Sequence, residues 1–105
     1  MPGKRDFIMD ITGAKIIRER MTFTGDVQGV GFRYRAKYAA RELGVTGWVE
    51  NEWDGSVVME AQGTKEQLYR LVYNISRGTW INIEHVKREN IPVEEHEYYF
   101  DVKGY

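Results

Sequence analysis

The spacing of apolar positions changes period several times along this chain, and each change marks an element. Over residues 18–25, RERMTFTG, Met21 and Phe23 fall on one face while Arg20, Thr22 and Thr24 fall on the other, which predicts a half-buried strand. The period then lengthens. Ala36, Ala39, Ala40 and Leu43 recur at helical spacing, Arg35, Lys37, Arg41 and Glu42 lie outside that stripe, and Gly44 stands where helices stop. Residues 45–51 read as a second strand with Trp48 and Val49 as its large apolar side chains. Asp54-Gly55 predicts a tight hairpin, because such turns demand positive φ. Residues 56–62 alternate again, with Val57, Met59 and Ala61 on one face and Gly63 at the end. Thr64 and Gln67 have the spacing of a capping box, and Leu68, Leu71, Val72 and Ile75 give the following helix its apolar stripe. Arg77-Gly78 closes it. Residues 80–88 read as a strand whose alternation slips between Ile83 and Val86, which predicts a bulge or twist. Pro92 breaks the chain, and Tyr98, Phe100 and Val102 share one face of a last short strand.

The order is β-α-β-β-α-β with a terminal strand added. That is the α+β, ferredoxin-like (split βαβ) arrangement: an antiparallel sheet carrying two helices on one face. Residues 1–15 have mixed polarity, with Pro2-Gly3 and Gly13, and read as an N-terminal extension with disordered character. Residues 16–105 are the folded domain. No internal repeat or low-complexity segment appears. A fold of this kind hosts many activities, so function must come from the site.

Composition narrows the classes. The 105 residues amount to one domain. Fifteen basic against 16 acidic side chains leave a formal charge of -1, so nothing advertises nucleic acid. The chain has no cysteine, which excludes disulfides, thiolate zinc sites and cysteine nucleophiles and fits a cytoplasmic setting. MPGKRDFIMD lacks the apolar core of a secretory signal, and no apolar run approaches the roughly 20 residues of a membrane helix.

The chemistry concentrates in residues 25–33, GDVQGVGFR. As a bare strand-to-helix connection, its glycines would serve only tight backbone angles. Three features point further. The stretch runs straight into a helix, so its amides and the helix N-terminus converge on one spot. Glycines let the backbone approach a ligand closely. Arg33 brings a planar fork suited to two phosphate oxygens. An anion cradle of the phosphate class follows. It is neither a Walker A loop, for want of G-K-[ST], nor a dinucleotide fingerprint, because the glycine spacing differs.

GDVQGVGFR followed by LGVTGWVENEWDG resembles the acylphosphatase family, whose pattern is G-x-V-Q-G-V-x-F-R, then L-G-(V/L)-x-G-W-V-x-N, then a D-G hairpin. Arg33 and Asn51 also stand at the family's separation of 18 positions. The resemblance spans about residues 18–102. It implies hydrolysis of acyl phosphates, the mixed anhydrides of carboxylic and phosphoric acids, with no metal or organic cofactor. It implies that Arg33 binds the phosphoryl group together with backbone amides of Gln28, Gly29, Val30, Gly31 and Phe32. Asn51 then orients the attacking water. The implied partner is a small acyl phosphate; nucleic acid and membrane are not expected, and the chain is expected to act as a monomer.

Other residues read more plainly. His85 and His96 are the two histidines and lack catalytic or metal-binding company. Glu94, Glu95 and Glu97 read as a solvated run beside His96, and Trp48, Trp53 and Trp80 as core or edge packing. Gly47 beside Trp48 reads as a close-packing position. Gln28 serves either as a substrate contact or as a shaper of the loop. Residues 56–63 carry no aromatic, which counts against an RNA-binding sheet. Three departures from the family pattern stand out: Asp26 puts a carboxylate beside the cradle, the 77–80 stretch RGTW lacks prolines, and Gly104 shifts Tyr105 out of alternation. The rival reading is a catalytically weak phosphate-binding or regulatory module of the same fold. Retention of both Arg33 and Asn51 favours the enzyme.

Overall fold

The computed structural model describes residues 8–104. Five strands and two helices follow in the expected order: β1 (Ile16–Asp26), α1 (Phe32–Leu43), β2 (Thr46–Asn51), β3 (Val57–Thr64), α2 (Lys65–Ser76), β4 (Asn82–Ile91) and β5 (Phe100–Lys103). The sheet runs β4-β1-β3-β2-β5. Its first four strands are antiparallel neighbours, as the split βαβ pattern requires. The added β5 lies parallel to β2 at the far edge, so the sheet is mixed. β4 ends one edge of the sheet and β5 begins at the other, and residues 92–99 cross between them. Crossing along one end of the sheet sets β5 antiparallel to β4, and because β2 also runs opposite to β4, β5 enters parallel to β2.

The period-2 stripes face the helices. Met21 and Phe23 of β1, Val49 of β2 and Val57, Met59 and Ala61 of β3 are buried against Ala36, Ala39 and Ala40 of α1 and Leu68, Leu71 and Ile75 of α2. Small alanines on α1 let that helix sit close to the sheet. α1 ends on Gly44 in the left-handed region (φ 76°), where the Val45 amide donates to the Ala40 carbonyl at 2.8 Å. α2 begins with the capping box: Gln67 N donates to Thr64 Oγ1, and Thr64 N donates to Gln67 Oε1 at 2.7 Å. β3 continues through Gly63 to Thr64, which is both the last strand residue and the N-cap.

The expected slip in β4 is a bulge. Thr24 pairs with His85 and Gly25 with Ile83, which leaves Glu84 as the extra residue. Gly25, the first glycine of GDVQGVGFR, is required there. A Cβ on it would collide with the Asn82 carbonyl oxygen and lie 2.8 Å from the Glu84 amide nitrogen. Gly47 is likewise pinched, since its Cβ would collide with the Glu60 carbonyl oxygen.

The helix-free face of the sheet holds an ionic network. Arg18 is 2% exposed and donates to Glu60 and, at 2.7 Å, to Glu97. Burial alone pulls the Arg18 guanidinium down, but its bonds to Glu97 and Glu60 and their charges outweigh that and hold it still more firmly protonated. Gln62 exchanges two 2.8 Å hydrogen bonds with the Glu94 backbone. These contacts fasten the crossing segment 92–99 to the sheet, so the acidic run is not simply solvated.

Two further expectations are corrected. Trp53 and Trp80 are exposed rather than packed, at 97% and 77%. Tyr98 is also exposed and precedes β5, so that strand's apolar face consists of Phe100 and Val102. In the N-terminal extension, Asp10 accepts from the Thr12 and Ala14 amides and organises a turn closed by a Met9–Lys15 bridge. Residues 1–7 and Tyr105 lie outside the described residues, and with them the expectations of disorder at 1–7 and of a displaced Tyr105.

Candidate active site

The stretch after β1 is fixed by alternating anchors. Val27 and Phe32 are buried, and Val30 packs against the core from a half-buried position. The Phe32 ring meets Phe23 with centroids 4.9 Å apart. Between these anchors Gln28 reaches sideways. Its Nε2 donates to the Glu52 carbonyl at 2.6 Å and to the Ser56 carbonyl at 2.8 Å. Both side-chain amide protons are thus spent on the β2–β3 hairpin. These two bonds tie the loop to the hairpin through the Gln28 side chain. Asp54 steadies the same hairpin by accepting from Ser56 Oγ at 2.6 Å and from the Ser56 amide at 3.0 Å, and these bonds hold its carboxyl below the usual carboxylate range.

Gly29 and Gly31 sit at φ 71° and 82°. A Cβ at either would meet nothing within 4 Å, so it is the left-handed backbone and not crowding that calls for glycine. With Val27, Val30 and Phe32 directed into the core and two glycines between them, the loop presents backbone rather than side chains. Gly31 is also the N-cap of α1 and supplies no side-chain cap, and no acidic residue occupies the first turn. The first amides of α1 therefore keep their donors and the positive end of the helix dipole is not neutralised.

Arg33, in that first turn, is half-buried. Its Nη1 donates to the Lys103 carbonyl at 3.0 Å. That bond uses one of five guanidinium donors, and it ties α1 to the end of β5. Lys103 lies opposite Glu50 in the β2–β5 pair, so the Arg33 head group is held one residue from Asn51. Asn51 ends β2 opposite Val57. Its Oδ1 is buried and has no hydrogen-bond partner among the described residues. Orphaning a buried acceptor costs on the order of 1–3 kcal/mol, so such an atom in a native fold calls for a reason. Asp26 closes β1 with its carboxylate exposed.

The structure thus brings together the loop of Gln28, Gly29, Val30, Gly31 and Phe32, the guanidinium of Arg33 and the amide of Asn51 at one end of the sheet. Beside the loop a cavity of about 590 Å³ is lined by residues 25–30, by Gly55 of the β2–β3 hairpin and by Trp80. Trp80 was missed from the sequence because nothing in RGTW places it near residues that precede it by 50 positions. His85 and His96 lie elsewhere and are exposed, and the described residues contain no cluster of His, Asp and Glu fit to hold a metal ion.

Comparison with known proteins agrees with this geometry. The acylphosphatase family model matches residues 19–102. The chain is 44% identical over 81 residues to an acylphosphatase of Bifidobacterium longum, covering 76% of this chain and 84% of the relative. The crystal structure of acylphosphatase from Bacillus subtilis superimposes with a TM-score of 0.77 at 28% identity, covering 84% of this chain and 99% of that one. An acylphosphatase structure from Coxiella burnetii gives 0.75 at 32% identity, over 84% of this chain and 93% of that one. With its fold, its loop and 84 of its residues matched, the chain belongs to the acylphosphatase family.

Proposed function

We propose that this protein hydrolyses acyl phosphates, with Arg33 and the backbone amides of residues 28–32 holding the phosphoryl group and Asn51 orienting the attacking water. The observation that carries this reading is the Asn51 Oδ1, a buried acceptor without a partner, one residue along β2 from the strand pair that pins Arg33. With that oxygen buried, the Asn51 amide nitrogen is the end left to hold a water, which accepts from it and keeps a second lone pair free to attack.

The chemistry follows from what these groups can and cannot do. An acyl phosphate already has a stable carboxylate as leaving group, so strong general-acid help is unnecessary. The reaction needs positioning and stabilisation of charge on the phosphoryl oxygens. Arg33 supplies a fixed positive fork, and the uncapped start of α1 supplies amides. Water forms a bond to phosphorus as the bond from phosphorus to the acyl oxygen breaks. The carboxylate departs with that electron pair. An amide cannot take the water's proton, so it passes to a phosphoryl oxygen, and the products are carboxylate and phosphate.

The reading involves no metal or organic cofactor and a small-molecule substrate, with the protein acting as a monomer in the cytoplasm. A cysteine-free chain held together by packing suits that compartment. The test is hydrolysis of benzoyl phosphate in the presence of EDTA. Turnover is expected. A folded protein that binds phosphate and turns over no acyl phosphate would contradict the reading in favour of a binding module.

A further inference from the structure

Trp80 is large, apolar and 77% exposed. It lies in the short connection between α2 and β4. The Ile81 amide donates to the Gly78 carbonyl at 3.1 Å and closes a turn around it, and Ile81 itself is buried in the core. An exposed indole on an anchored turn loses little freedom when something stacks on it. Trp80 is also the one aromatic side chain lining the cavity beside the phosphate loop.

The sheet order gives that position a meaning. In β4-β1-β3-β2-β5 the phosphate loop rises from the end of β1. Asn51, at the end of β2, lies on one side of it. Trp80, two residues before β4, lies on the other, where Asp26 at the end of β1 pairs with Asn82 at the start of β4. Phosphoryl transfer places the attacking and leaving oxygens roughly in line on opposite sides of phosphorus. If water arrives from the Asn51 side, the acyl group leaves on the Trp80 side.

Resting on the acylphosphatase reading above, we infer that Trp80 is a specificity-determining residue that stacks against the acyl portion of the substrate, so that the enzyme favours acyl phosphates with a flat, apolar acyl group. Trp80 takes no part in the bond changes. Its contribution is to binding, and it scales with the acyl surface it covers.

The experiment compares benzoyl phosphate with acetyl phosphate in wild type, Trp80→Ala and Trp80→Phe. Acetyl has no ring to stack, so the ratio of kcat/KM for benzoyl over acetyl reports on the indole. Loss of one aromatic stack is expected to lower that ratio about tenfold in Trp80→Ala, through KM for benzoyl phosphate rather than kcat. Trp80→Phe is expected to restore most of it. An unchanged ratio in Trp80→Ala overturns the inference, as does an equal loss on both substrates, which marks a structural role. Wild-type protein inactive on both substrates is a different result: it removes the acylphosphatase reading itself and the inference with it.

Discussion

Gln28→Ala removes the latch between the phosphate loop and the β2–β3 hairpin. Gln28 Nε2 donates to two backbone carbonyls, those of Glu52 and Ser56, at 2.6 and 2.8 Å. Each hydrogen bond of this kind is worth about 1 kcal/mol net, and the half-buried setting lets water recover part of the loss, so the variant should be destabilised by about 1–2 kcal/mol. For a domain of this size that corresponds to a fall in Tm of roughly 10 °C. Urea unfolding measures the first quantity and a thermal melt the second. KM for an acyl phosphate should rise severalfold, because the loop amides lose their register with Arg33. Gln28→Glu sharpens the case. Its carboxylate would face the same two carbonyl oxygens, so ionisation is disfavoured and the folded-state pKa lies above the ordinary value of about 4.3. A raised folded pKa means that the stabilising contribution is present below the unfolded pKa and lost as pH rises through the folded one. The penalty relative to wild type should therefore be smaller at pH 4 than at pH 7. The reasoning is refuted if Gln28→Ala unfolds with wild-type stability and keeps its KM. It is refuted differently if stability holds while kcat collapses, since that result would make Gln28 a substrate contact.

Arg18→Met should cost about 3 kcal/mol in urea unfolding, because it strands Glu97 and leaves Glu60 with Arg20 alone; stability within about 0.5 kcal/mol of wild type would contradict the network's role. Asp54→Ala should lose its deficit against wild type as acid is added. A depressed carboxyl stabilises above its unfolded pKa and stops doing so as pH falls through the folded value, so a pH-independent deficit would count against the Asp54–Ser56 bonds. Asp26→Asn should lower KM for acyl phosphates, more at low ionic strength, by removing a carboxylate from the edge of the cradle; an unchanged KM would make Asp26 irrelevant to binding.

The periodic parts of this fold were legible in the sequence, and the reason is local. Met21 and Phe23, or Leu68, Leu71 and Ile75, declare their element by spacing alone, and Thr64 and Gln67 announce a helix start three residues apart. Arg33 and the glycines of the candidate site were legible because they fall within nine consecutive residues. Contacts between distant segments were not. Arg18 finds Glu97 across 79 positions. β5 joins β2 in parallel only because the chain crosses the end of the sheet. Trp80 reaches the cavity from a turn whose own sequence says nothing of it. Gln28 lay between the two cases. Its place in the motif marked it, but only the structure shows the partners of its amide.

The central claim divides labour between Arg33, which binds the phosphoryl group, and Asn51, which orients water. Its most direct test is the steady-state kinetics of benzoyl phosphate hydrolysis in EDTA for folded Arg33→Ala and Asn51→Ala. Asn51→Ala is predicted to lose on the order of 10²–10³ in kcat with KM little changed, and Arg33→Ala to lose both kcat and apparent affinity for inorganic phosphate. Wild-type turnover in either folded variant would contradict the account.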